Sequence, residues 1–177
     1  PGYTQNAWMI SHGHVGASQG LRGLLHPVLM GNLGELLGNY ANAGVIISTC
    51  SIGAVIVGCG ASVRVFSGAW MGGVTSILVA ALVGVAAASR WSNIYSLLAG
   101  MSALGIAFSC LSMRYPRWSI CILSGLFTGL AYATDLRGQM FLPLALVAPL
   151  LSSASLKKKL LLVLIVGSSF MVGPNIR

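Results

Sequence analysis

The chain is short of charge, and above all of negative charge. Only two of its 177 residues are acidic, Glu35 and Asp135, against ten Lys and Arg. Charged residues make up 7%, where a soluble domain carries about 25%. A solvated enzyme surface is thereby excluded, and little is left for acid–base work on a soluble substrate. There is no P-loop, GxSxG, HExxH or dinucleotide fingerprint. The four cysteines, Cys50, Cys59, Cys110 and Cys121, form no CxxC and have no His at ligand spacing, so they read as small polarizable packing residues. No internal repeat is visible, which counts against an inverted-repeat transporter. No signal-peptide pattern opens the chain, which starts at Pro1 with a polar, Gly-rich stretch. The sequence reads as a piece of a longer protein, with a processed chain as the alternative.

What is present is apolar. Mean hydropathy is +0.87 and apolar residues reach 56%, so the expected fold is all-α, a polytopic transmembrane bundle of five to six membrane segments. The net charge of +8 comes from cations lying between apolar runs. They read as topology signals, and nucleic acid is not expected as a partner.

Two regions are expected. Residues 1–40 form an outer-face loop with an amphipathic interfacial helix, and residues 41–177 form the bundle. In the first, a short helix covers Tyr3–Ile10. Beyond it, Leu21, Leu24, Leu25, Val28, Leu29, Leu33, Leu36 and Leu37 fall near a 3.6 period. The opposite face carries Arg22, His26, Asn32 and Glu35. Pro27 and several glycines predict a kink or break.

The predicted spans are Ala43–Val63, Ala69–Ala88, Asn93–Met113, Ser119–Thr134, and one beginning at Leu160. Ser119–Thr134 is about 24 Å long as a helix, with Trp118 and Tyr132 suited to the two interfaces. Between the last two lies Phe141–Leu151, bracketed by Pro143 and Pro149 and too short to cross as a straight helix. It is re-entrant, buried, or completed by its flanks. If it crosses, Arg64, Arg114, Arg117 and Lys157–Lys159 share the cytoplasmic side, and Arg22, Arg90, Arg137 and Arg177 face outward. If it does not, the bias disappears. Gly125 and Gly129 form a GxxxG, expected to pack within the bundle.

Asp135 and Arg137 stand at the end of the fourth span. They read either as an interfacial ion pair or as a site, since ionisable groups at membrane depth are costly. Asp135 is the catalytic candidate, and Arg137 could bind a lipid-linked phosphate. His12-x-His14 could present two imidazoles to a divalent metal, the one cofactor left open; solvated histidines are the plainer reading. Lys157–Lys159 read as a topology signal that touches anionic headgroups.

Three stretches carry a resemblance. Tyr3-Thr4-Gln5-Asn6-Ala7-Trp8 through Gly13, Leu24-Leu25-His26-Pro27-Val28-Leu29, and Leu123–Thr134 with Asp135-Leu136-Arg137 and Leu142-Pro143 resemble motifs of the multi-spanning C-type glycosyltransferases. This is the protein O-mannosyltransferase and aminoarabinose-transferase-like group. Ser92-Asn93-Ile94-Tyr95 also fits the outer end of its span. The resemblance implies transfer of a sugar from a polyprenyl-phosphate carrier on the outer face, membrane lipid and a lipid-linked sugar donor as partners, and a bacterial inner membrane as the favoured location. It implies substrate binding by Arg137, Tyr3 and His26. The family's catalytic acid falls just before the position of Tyr3, ahead of Pro1, and Asp135 stands where the family more often has a neutral residue. Two further readings stand beside the transferase. One is a non-catalytic membrane subunit held by other membrane subunits. The other is a small transporter or channel subunit using Ser48, Thr49, Ser51, Ser102 and Ser109.

Overall fold

The computed structural model describes residues 2–14, 23–82 and 94–176. Among these the chain is helical and contains no strand. Two helices, α1 (Gly2–Ser11) and α2 (Leu25–Leu37), precede a long α3 (Tyr40–Ala81). Then come α4 (Ile94–Arg114), α5 (Trp118–Thr134), a mixed segment over 136–151 containing α6 (Leu142–Val147), α7 (Leu156–Phe170) and α8 (Val172–Ile176). The expected positions of Arg22, Arg90 and Arg177, and residues 83–88 of the second span, lie outside the described residues.

The 42 residues of α3 would make a rod of about 63 Å if straight, twice the thickness of a bilayer's hydrocarbon core. They do not form one. Gly68 has φ 87 and ψ 172, a conformation open to glycine and strained for other residues. It turns arm 69–81 back along arm 40–67. The Ser76 hydroxyl donates to the Ile56 carbonyl at 3.3 Å, and a Cβ on Gly60 would meet the Gly72 carbonyl at 2.9 Å. The first two expected spans are therefore the arms of one helical hairpin.

The remaining helices pack by backbone approach. A Cβ on Gly58 would stand 2.7 Å from the Ala103 carbonyl, and one on Gly100 would stand 2.7 Å from the Ser51 carbonyl, so the first arm of α3 and α4 run in parallel. Helix α5 returns against α4. Phe108 stacks on Phe127 with centroids 5.6 Å apart, and Ser109 Oγ lies 2.8 Å from Ser124 Oγ. The Gly125–Gly129 pair faces Val166, Ser169 and Phe170 of α7. Helices α5 and α7 thus lie parallel and in contact, with the GxxxG packing inside the bundle.

The segment 136–151 lies along α5 and α7. Its six residues of 3-10 helix, six of α-helix and four of 3-10 helix rise by about 29 Å in all. The 3-10 turns supply the length that a uniform α-helix of these residues lacks. Gly138 is pressed against Ala131 and Tyr132 at one end of α5. Ala145 joins Cys121, Leu162 and Val166 in a cluster further along. The segment thus runs antiparallel to α5, from one end of the bundle towards the other.

Large apolar side chains point outward: Val57, Phe66, Trp70, Ile77, Leu151, Leu156 and Leu164 are all exposed. The interior holds Ser48, Ser51, Ser102, Ser109, Ser124 and Thr128 beside Ala, Gly and larger apolar side chains such as Met30, Ile94, Leu162 and Val166. On a soluble protein, exposed apolar patches of this extent are rare. This distribution suits a solvent of lipid, in which close contact between small residues replaces hydrophobic burial. The two described helices long and apolar enough to cross a membrane are α3 and α4.

Two glycine substitutions check this packing. Gly129→Leu drives a side chain into the Phe170 backbone and is expected to lower stability by about 3 kcal/mol or more. Gly73→Ala meets nothing within 4 Å and should be neutral or mildly stabilising. Thermal unfolding in detergent compares the two.

Candidate functional site

Helix α5 ends without glycine. Asp135 adopts an extended backbone, φ −155 and ψ 143, and caps both neighbours. Its N–H donates to the Ala131 carbonyl at 3.1 Å, and its own carbonyl receives the Gly138 N–H at 2.9 Å. Its Oδ1 accepts the Arg137 N–H at 2.9 Å. This side-chain cap starts the 3-10 turn and is the role Asp fills well at helix entries. The turn also brings the Arg137 Nε to 3.9 Å from Asp135 Oδ1. The Arg137 side chain is 67% exposed, so the pair contributes little to stability. The guanidinium lies over the Tyr95 ring, 5.6 Å from its centroid. Tyr95 comes from the start of α4, far away in sequence.

The amino-terminal layer closes on this end. Gly23 donates its N–H to the Thr134 carbonyl at 3.0 Å. A side chain at Gly23 would overlap the Ala133 carbonyl, so only glycine permits the approach. Ala7, Leu25, Met30, Ala43, Ile47, Leu97 and Ala133 form one buried cluster, which seats α1 and α2 on the ends of α3, α4 and α5. The result is a lip with buried Asp135 below and Arg137 projecting above.

His26 is not on a polar face. It is fully buried, and burial alone lowers its pKa to about 4; it is neutral at physiological pH and does not reach a substrate at the surface. The leucine period suggested the opposite facing, but α2 turns Met30, Gly31 and Gly34 inward with His26 and leaves Leu29, Leu36 and Leu37 exposed. Asn32 and Glu35 are exposed as expected. Pro27 neither kinks nor breaks the helix, because it sits in the first turn, where its missing N–H has no partner to lose. Tyr3 lies on α1, with its side chain outside the described residues.

His12 and His14 follow directly on the end of α1. His12 stacks on Trp8 at 4.4 Å, and its Nδ1 lies 2.9 Å from the Trp8 carbonyl. His14 is exposed. No group of three His, Cys, Asp or Glu residues suited to a metal occurs among the described residues. All four cysteines are free thiols.

Sequence reasoning brought Asp135 and Arg137 together and missed Tyr95 and Gly23 as their neighbours. Tyr95 was placed at the start of its span, but nothing in a linear pattern pairs it with Arg137. No family model, no curated protein and no solved structure matches the chain.

Asp135→Asn should preserve the cap, whereas Asp135→Ala should cost about 1 kcal/mol; unfolding midpoints separate them. His26 gives a pH signature. Its folded pKa of about 4 lies below the unfolded value of about 6.5, so the unfolded chain takes up the proton first. Stability contributed by this site should fall as pH drops from 6.5 to 4, by about 3 kcal/mol, and level off below. A His26→Gln variant should lack that component when the two stability–pH curves are subtracted.

Proposed function

We propose that the protein is a multi-pass integral membrane protein of a lipid-linked glycosyl-transfer system. On this reading its Asp135–Arg137 end handles a polyprenyl-phosphate sugar on the outer face. The exposed apolar side chains around the bundle support insertion. The α3 arms, α4, α5, 136–151 and α7 lie side by side along the bundle, an arrangement that supports several crossings. The six cations Arg64, Arg114, Arg117 and Lys157–Lys159 lie at one end, which the positive-inside bias makes cytoplasmic. The Asp135 end is then outward, roofed by α1 and α2.

The observation that carries the substrate reading is Arg137. Its guanidinium is exposed at the lip and steadied by the Tyr95 face. Its one acidic neighbour is committed to capping through Oδ1. Such a group can take a phosphate oxygen pair in bidentate fashion. The resemblance assigns acceptor activation to a carboxylate ahead of Tyr3, which leaves Asp135 a positioning role.

The same capping of Asp135 favours a second reading, a non-catalytic subunit that holds partners in the membrane. A channel or transporter is less well supported. Ser51 donates to the Ile47 carbonyl, Ser109 to Gly105, and Thr49 to Val45, so these hydroxyls serve their own helices.

The test is retention of polyprenyl phosphate by the purified protein. Arg137→Gln should reduce it about tenfold or more, while Arg64→Gln at the opposite end leaves it unchanged. Equal retention by both variants, with other membrane proteins co-purifying in fixed ratio, would favour the subunit.

A further inference from the structure

The cationic end holds a groove that the outer-face function does not use. A cavity of about 440 Å³ opens between the start of α5 and the start of α7, lined by Arg117, Trp118, Lys158, Leu161, Leu162 and Ile165. We propose that it binds an anionic phospholipid of the cytoplasmic leaflet. The phosphate sits between Arg117 and Lys158, and an acyl chain runs along Leu161, Leu162 and Ile165. This rests on the membrane reading above.

Charge is the first support. The chain has two acids, and both are remote from this groove: Asp135 caps the far end of α5, and Glu35 lies on α2 in the layer at that same far end. No carboxylate side chain is available to balance the cations, so their counter-charge must come from outside the chain.

Helix polarity is the second. Lys157, Lys158 and Lys159 lie within the first turn of α7, not in a loop ahead of a span beginning at Leu160. Cations are disfavoured there by the helix macrodipole, and an anion is favoured. The start of α5 lies alongside because the two helices are parallel. Neither N-cap side chain, Arg117 or Ser155, accepts a hydrogen bond from a backbone N–H of its first turn. A single headgroup phosphate between the two starts relieves both.

Shape and depth are the third. The groove continues from its two cations onto an apolar wall, which matches a lipid and not a free phosphate. Trp118 at its rim is 66% exposed, in keeping with an aromatic ring at headgroup depth. Basic pockets between helices on the cytoplasmic side suit anionic headgroups.

The experiment uses the full chain purified in mild detergent, with retained lipid counted by native mass spectrometry after mixing with phosphatidylglycerol or phosphatidylcholine. The wild type should retain phosphatidylglycerol preferentially. Arg117→Gln with Lys158→Gln should cut that retention about 25-fold, about fivefold for each cation. Lys157→Gln should change it less than twofold, and Arg117→Lys should keep most of it. Millimolar inorganic phosphate should not displace the lipid. Equal retention of the two lipids by the wild type would overturn the proposal, as would an unaltered double variant or displacement by phosphate. Alkaline carbonate extraction separates this failure from that of the membrane reading. A chain in the pellet without lipid preference loses only the lipid site, and a chain in the supernatant loses both.

Discussion

The structure depends on backbone-to-backbone contact between helices. Gly58 against Ala103, Gly100 against Ser51, Gly125 against Val166, and Gly129 against Phe170 each bring helices closer than any larger side chain permits. Glycine in a helix costs about 1 kcal/mol relative to alanine, so such a distribution persists only where the contact returns more. In lipid it does, because dispersion and short polar contacts are what hold helices together there. Hydroxyls fit the same scheme. Ser109 bonds its own helix and touches Ser124, filling space without an unsatisfied polar group.

Charge is then sorted by ends. The parallel pairing of α5 with α7 requires 136–151 to travel the length of the bundle, and that return places Lys157–Lys159 beside Arg117 instead of beside Arg137. One end gathers cations without acids, and the other holds a capped, buried Asp135 beneath an exposed Arg137. On the readings proposed above, this one topology would serve two lipid-facing tasks: handling of a phosphate-linked carrier at the lip, and binding of an anionic headgroup at the opposite end.

Much of the helical layout was legible. The apolar runs stop at Arg114, Trp118 and Thr134 because Arg, Trp and a polar turn mark those ends chemically. The GxxxG was read correctly as internal packing. The length of 136–151 was not legible, since hydropathy does not distinguish a 3-10 turn from an α turn. His26 was misplaced because the leucine period marks the face that α2 mostly leaves exposed, while His26 shares the inward face with Met30 and Gly34. Lys157–Lys159 looked like a loop because three lysines resemble a boundary, yet the helix begins one residue before them. At the site, Asp135 and Arg137 were visible from composition alone, being rare charges at a span's end. Their partners Tyr95 and Gly23 are set by tertiary contacts that no local pattern encodes.

The most direct test of the account is the sidedness of four positions in a cysteine-free background, labelled with a membrane-impermeant maleimide in sealed vesicles. Ser67→Cys in the α3 turn and Ser153→Cys before α7 should react from the cytoplasmic side only. Asn39→Cys and Gln139→Cys should react from the opposite side only. Labelling of Ser153→Cys from the same side as Gln139→Cys would mean that 136–151 does not cross. The separation of the two charged ends, and the functions assigned to them, would then be wrong.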